Sequence, residues 1–180
     1  MRIPSTPEIA NANVQLEAEF VAKLNELRQL RNNQISDVRC KRSDYKQHAR
    51  REIQSIRHAW AMELAALRND IEVIKDKRAT LRQQFHDNVL ERDNEELFEL
   101  TSQIRKLQEH IAKRELIFNE KLNQVNANLQ QALLDLGKVS NDIHTEFREK
   151  QTKLRQELAE KVDLNRQKAQ QIARQEGLLS

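Results

Sequence analysis

Histidine, cysteine and carboxylate side chains are the groups with which this 180-residue chain could bind a metal or perform catalysis. The five histidines are His48, His58, His86, His110 and His144. No two of them are three or four residues apart, so none form the usual metal-binding pair on one face of a helix. Cys40 is the single cysteine, which leaves it without a partner inside the chain. The sequence therefore predicts no enzymatic activity, no cofactor and no metal site.

Two blocks of charge are the candidates for binding. The basic block, residues 39–57, holds seven bases against Asp44 and Glu52, and its bases are Arg39, Lys41, Arg42, Lys46, Arg50, Arg51 and Arg57. The acidic block, residues 87–99, holds six acids against Arg92, and its acids are Asp87, Glu91, Asp93, Glu95, Glu96 and Glu99. Three interpretations are open: each block is a solvated face of a helix, the two blocks dock on one another between chains, or the basic block binds an acidic external surface such as a microtubule or phospholipid.

A third segment, residues 119–141, is poor in charge and rich in amides. Its amide side chains are Asn119, Asn123, Gln124, Asn126, Asn128, Gln130, Gln131 and Asn141. An outer helical face with few charges is typical of contact with further helices, and the alternative is neutral variation of a surface.

Net charge and hydropathy exclude several classes of protein. The formal charge is only +3, from 31 bases and 28 acids, whereas a nucleic-acid binder needs a sustained basic stripe. No run of about 18 apolar residues predicts a transmembrane helix, and the first residues lack the apolar core of a secretory signal. We expect a cytoplasmic, cytoskeleton-associated protein, with the nucleus as the alternative location.

The elements that position these residues are predicted to be helices. The chain has two glycines and two prolines, and neither residue type occurs between Pro7 and Gly137. Sheets and their turns need these residues, so the expected fold class is all-α. Thr6, Pro7 and Glu8 form a helix start, and Gly177 is typical of a helix end.

Apolar residues recur at spacings of three and four, which is the heptad rhythm of a coiled-coil seam. Two runs are strict, with Arg78 and Arg114 as their polar members. The apolar members, which we predict to be interaction residues of the seam, are Leu64, Leu67, Ile71, Ile74, Leu81, Phe85, Leu97, Leu100, Ile104, Leu107, Ile111 and Phe118. The narrow stripe also extends back through Tyr45 to Phe20, so an elongated coiled coil with stutters is expected. Because the spacing continues across Gly137, the helix is expected to run through that glycine.

The region between Phe85 and Leu97 leaves two alternatives open, because a 12-residue gap fits neither a heptad nor a stutter. One alternative is a single very long helix with a local register fault. The other is a turn between two long helices that form an antiparallel hairpin, since Asp93 and Glu96 resemble a helix start. The predicted organisation is an extended lead (1–6), coiled-coil segments (7–86 and 97–176), the break between them (87–96) and a C-terminal end (177–180).

Residues 45–60 resemble the start of the second coil in intermediate-filament and lamin rods. Those rods carry an aromatic or apolar residue followed by a Leu/Ile-x-x-Ile-Arg-x-x-Tyr element. The corresponding residues are Tyr45, Ile53, Ile56, Arg57 and Trp60. The resemblance implies a cytoskeletal coiled coil.

These patterns predict a structural coiled-coil protein of a cytoskeletal or axonemal assembly, acting as a filament element, rib or spacer by lateral helix packing. Its expected partners are other coiled-coil chains, in a homo- or hetero-oligomer, and a cytoskeletal lattice such as microtubules. One alternative is a tether or adaptor that recruits partners through the two charge blocks. The other is a nucleic-acid or membrane-surface binder. The mixed charge disfavours nucleic acid, and the lack of a broad apolar face with aromatic residues disfavours a membrane surface.

Overall fold

A computed structural model of the chain describes residues 7–84 and 95–175, and both stretches are α-helical. Helix α1 spans Pro7–Gln84 and has 78 residues. Helix α2 spans Glu95–Gln175 and has 81 residues. Every described residue belongs to one of these two helices, which confirms the predicted all-α fold.

The helix ends carry the residues that physical chemistry favours there. Proline fits the first position of α1, because the first backbone N–H groups of a helix have no intrahelical partner. Glu95 and Glu96 place negative charge at the positive end of the α2 dipole. The remaining residues assigned to helix ends or to the break lie outside the described residues, and they are Thr6, Phe85, Asp87, Glu91, Asp93 and Gly177.

Gly137 lies inside α2, as the continuous apolar spacing predicts. A Cβ atom built on this glycine meets no atom within 4 Å. An interior glycine costs a helix about 1 kcal/mol relative to alanine. No close approach of another segment explains the glycine, so α2 simply tolerates it.

The chain divides into two compact units, and unit 1 combines the beginning of α1 with the end of α2. Its described residues are 7–43 and 134–175. The Asn165 side-chain amide donates a 2.8 Å hydrogen bond to Oδ1 of Asn13, and the Arg31 guanidinium lies 4.5 Å from the centre of the Phe147 ring. Moving forward along α1 from Asn13 to Arg31 therefore matches moving backward along α2 from Asn165 to Phe147. The two segments of unit 1 are antiparallel.

Unit 2 combines the end of α1 with the beginning of α2, and its described residues are 44–84 and 95–133. The Trp60 and Phe118 rings stack with their centroids 5.7 Å apart. The Arg78 guanidinium donates a 3.3 Å hydrogen bond to the Thr101 hydroxyl. Going forward along α1 from Trp60 to Arg78 therefore corresponds to going backward along α2 from Phe118 to Thr101. The two segments of unit 2 are antiparallel as well.

These contacts agree with the two-helix alternative and contradict the single continuous helix. In a continuous helix, Asn13 and Asn165 would lie about 230 Å apart at 1.5 Å per residue. Two separate helices instead bury their apolar stripes against each other within each unit, which removes more apolar surface from water than an isolated helix can. The connection itself, residues 85–94, lies outside the described residues.

Tyr45 departs from the predicted stripe, because 48% of it is exposed while Ala49 is buried. The stripe reaches back from Ile53 to Ala49 and then to Tyr45 in two steps of four residues. Each step of four turns the side chain by about 40° beyond a full rotation, since a helix has 3.6 residues per turn. Tyr45 is thus rotated out of the helix–helix contact.

Candidate interaction surfaces

The predicted seam residues of unit 2 lie where α1 and α2 meet. Ile71, Leu97 and Ile104 are buried, and Leu97 is the most enclosed, with 1% of it exposed. The other described members are half-buried, and they are Leu64, Leu67, Ile74, Leu81, Leu100, Leu107, Ile111 and Phe118. Because these side chains already pack within the chain, any surface for a partner must lie on the outer faces of the helices.

A bidentate ion pair flanks this seam. The Arg114 Nε and Nη2 groups donate hydrogen bonds of 2.5 and 2.7 Å to the two carboxylate oxygens of Glu63. Both side chains are about one third exposed, at 35% and 34%. The spacing identifies Arg114 as a polar seam member but gives no sign of Glu63, which precedes Leu64 and lies just outside the strict run.

The ion pair makes the stability of unit 2 depend on pH. The hydrogen bond from Arg114 lowers the pKa of the Glu63 carboxyl below its ordinary value. A lowered folded-state pKa stabilises the fold above the unfolded-state pKa, and this stabilisation is lost as the pH falls through the folded-state pKa.

We expect Glu63→Gln to lower the melting temperature at pH 7, and we expect the difference from the unchanged chain to shrink below about pH 4.3. Thermal unfolding followed by circular dichroism at pH 7 and pH 3 measures this. Glu72→Gln is the matched control, because Glu72 forms only an exposed pair with Lys75 one turn away. A melting difference for Glu63→Gln that is the same at both pH values would contradict the expectation.

Unit 1 holds its helices together partly through polar contacts that sequence reasoning missed. Asn13 and Asn165 are half-buried and bonded to each other, and Arg31 covers the face of the Phe147 ring. The available signal was position, since Asn13 lies seven residues, or one heptad, before Phe20 at the start of the stripe. A polar pair at a seam position costs stability but selects one register, because slipping either helix leaves a half-buried amide unbonded.

The seven bases of the basic block are all exposed, and none has a hydrogen bond or ion pair with any described residue. Of the acidic block, the structure describes Glu95, Glu96 and Glu99, which are exposed as well. Within the described part of unit 2, the four bases Lys46, Arg50, Arg51 and Arg57 do not meet these three acids. These bases lie before Trp60 and therefore beside the part of α2 that follows Phe118, whereas Glu95, Glu96 and Glu99 lie before Thr101.

A second set of residues on α1 keeps the three/four spacing along one flank of the contact with α2. We call it the outer stripe, and its members are Ser55, Ala59, Met62, Ala66, Asn69 and Val73. None of them is charged, and Met62, at 64% exposed, is among the most exposed large hydrophobic residues described. On α2, Leu116 is similarly exposed, at 65%. The outer stripe has the spacing of a second seam, and all of its members are exposed, although Ser55, Ala59 and Val73 also line hollows beside α2.

Other arrangements in the described residues point to no chemistry. Within 7–84 and 95–175, no group of three or more histidine, cysteine, aspartate or glutamate side chains could hold a metal. Cys40 is exposed. In unit 1, a groove of about 540 Å³ is lined by leucines, among them Leu27, Leu30 and Leu154, with lysines and glutamates at its rim. Such an open groove between two helices is suited to a macromolecular surface rather than to an enclosed small molecule.

The chain matches no protein-family model, no curated protein and no solved structure. In the part of the chain that the structure describes, neither helix contains a stretch that is both long and apolar enough to cross a membrane. Function is therefore inferred from the surfaces of this chain alone.

Proposed function

We propose that this chain is a structural protein, without enzymatic activity, that serves as a rib or spacer in a cytoskeletal or axonemal assembly by packing laterally against other helices. The observation that carries this proposal is the outer stripe of α1. It repeats the spacing of a seam on a flank of α1 where every member of the stripe is exposed. A helix with one buried seam needs no second one for its own folding, so the outer stripe fits contact with a further helix.

The composition of the outer stripe supports close helix packing. Ala59 and Ala66 lie on either side of Met62, so a partner helix can approach closely while the methionine fills the space between the two backbones. Methionine adapts well to irregular contacts because its side chain is unbranched and polarizable. An exposed apolar surface of this kind is typical of an association site.

We expect Met62→Glu together with Val73→Glu to raise the dissociation constant of association about tenfold or more, because both changes place charge in the proposed contact. Sedimentation velocity over a range of concentrations measures the association, and circular dichroism checks that helix content is kept. Gln54→Glu together with Gln108→Glu is the matched control, since it adds the same charge at exposed positions outside the outer stripe.

Cell fractionation tests the assembly itself. We expect the tagged chain to remain with the detergent-insoluble cytoskeleton and the Met62→Glu, Val73→Glu variant to enter the soluble fraction. A chain that is fully extractable by detergent, and that sediments as a monomer at every concentration, would contradict the proposal.

A second candidate function, a tether or adaptor, is favoured by the basic block. Its seven exposed bases have no ion-pair partner among the described residues, so they are free to attract an acidic partner. The two functions differ in salt dependence. Contacts between exposed charges are screened within about 10 Å at 0.1 M salt, whereas apolar packing on the outer stripe persists at high salt.

A further inference from the structure

Unit 2 has two lateral sides, one on each flank of the contact between α1 and α2. One side is marked by a hollow of about 190 Å³ whose rim includes Ser55 and Ala59 of α1 and Ile117 and Lys121 of α2. These four residues lie one position before or three positions after a residue of the helix–helix contact. Other residues of either helix with this spacing lie on the same side. We call this the hollow side.

Residues one position after a contact residue, or three before it, lie on the opposite side, because one residue turns a helix by about 100°. We call this the basic–amide side. On α1 it holds Lys46, Arg50 and Arg57, which lie beside Ala49, Ile53 and Ile56 of the contact. On α2 each member directly follows a contact residue, and the members are Asn119, Asn123, Asn126 and Gln130.

The basic–amide side carries no acid along α1 residues 46–61 and α2 residues 119–133. The two acids of these stretches are Glu52 and Glu120. Glu52 lies three residues before Ser55 and so belongs to the hollow side of α1. Glu120 lies between the two sides, on the face of α2 that is turned away from α1. The charge of the bases on the basic–amide side is therefore not neutralised locally.

The polar groups of this side are also free to bind. All seven side chains are exposed, and none has a hydrogen bond or ion pair within residues 7–84 and 95–175. The hollow side differs, since the Gln124 amide there donates a 2.8 Å hydrogen bond to Asn128. The basic–amide side thus offers a row of cations next to a row of unbonded amides.

We propose that the basic–amide side binds an acidic α-helix of a partner protein. Lys46, Arg50 and Arg57 are four and seven residues apart, or about 6 and 10 Å along α1. Carboxylates three or four residues apart on a helix lying alongside have the same repeat. The asparagine and glutamine side chains donate and accept hydrogen bonds, so they fit the polar residues between those carboxylates.

The side chains present favour a protein helix over other polyanions. Single-stranded nucleic acid is bound by aromatic side chains on which bases stack, and none of the seven members is aromatic. A membrane surface is bound by inserted apolar side chains, and none of the seven is apolar. This inference rests on the proposed function as an assembly element and names the chemistry of the partner.

The probe is a synthetic, fluorescein-labelled helical peptide with glutamate at every fourth position on an alanine and glutamine background, titrated with the full chain at low salt. We expect Lys46→Glu, Arg50→Glu, Arg57→Glu to weaken binding about tenfold or more. The matched control is Lys77→Glu, Lys106→Glu, Lys113→Glu, which makes the same change in charge at exposed positions of unit 2 outside the basic–amide side. This control should change the affinity by less than about twofold.

The amides are tested separately from the charges. Asn123→Ala with Asn126→Ala leaves the net charge unchanged, and we expect it to weaken peptide binding about threefold. Circular dichroism checks that every variant keeps its helix content, so that a loss of binding is not a loss of fold.

Several results would overturn the inference. One is that the acidic peptide does not bind. Another is that the two charge-reversed variants lose peptide affinity equally. A third is that Lys46→Glu, Arg50→Glu, Arg57→Glu abolishes association of the chain with a second copy of itself. Tighter binding of a duplex oligonucleotide, or of phosphatidylcholine vesicles containing phosphatidylserine, through these bases would assign the side to another class of ligand. If peptide binding is absent while Met62→Glu with Val73→Glu still abolishes association, this inference fails and the proposed structural function stands.

Discussion

Replacing Leu97 with alanine is expected to lower the free energy of unfolding of unit 2 by about 3 kcal/mol. Leu97 is the one large side chain in the described residues that is fully buried, with 1% of it exposed. Its truncation removes apolar contacts and leaves a cavity where two rigid helices meet. Urea unfolding followed by circular dichroism measures the change.

Leu116→Ala is the matched control, because it removes the same atoms from a leucine that is 65% exposed. This substitution is expected to change stability by less than about 0.5 kcal/mol. Similar losses at the two positions would show that Leu97 is not enclosed by α1.

Truncating either aromatic ring of the stacked pair in unit 2 is expected to cost about 3 kcal/mol, and the two effects should not add. Trp60 and Phe118 stack with an angle of 23° between their ring planes. Such a pair stabilises a fold by about 1 kcal/mol beyond the burial of its surface. A double-mutant cycle with Trp60→Ala and Phe118→Ala measures this coupling by chemical unfolding.

Phe98 provides the control for this cycle. It is exposed and lies near the start of α2, well before Phe118, so Trp60→Ala and Phe98→Ala should be additive. Additivity of Trp60→Ala with Phe118→Ala would mean that these rings do not meet and that the antiparallel register of unit 2 is wrong.

The sequence predicted the helices better than it predicted their pairing. The absence of glycine and proline and the three/four spacing of leucine and isoleucine are local consequences of helix geometry, so both can be read from one segment at a time. Pairing is not local. Both halves of the chain carry the same repeat, and a repeat of apolar residues does not state which helix lies opposite or in which direction it runs. In the sequence, Asn13 and Asn165 are two ordinary polar residues. Only the paired helices show that they bond to each other and specify the register of unit 1.

The candidate surfaces were visible in the sequence only in part. The basic block and the amide-rich segment stand out by composition, but they are far apart in the chain. Arg51 is as basic as Arg50, yet only Arg50 shares a side of unit 2 with the asparagines. That distinction needs the register set by Trp60 and Phe118, and no property of the individual residues supplies it.

The antiparallel pairing also sets the order in which the chain is expected to fold. Arg78 and Thr101 are 23 residues apart in the chain, whereas Asn13 and Asn165 are 152 residues apart. Closing the longer loop directly costs about 1.7 kcal/mol more in chain entropy. Unit 2, which is continuous in sequence, is therefore expected to form first. Its formation shortens the loop that must close before residues 7–43 can pack against residues 134–175. Unit 1, built from both ends of the chain, closes last and is expected to open first.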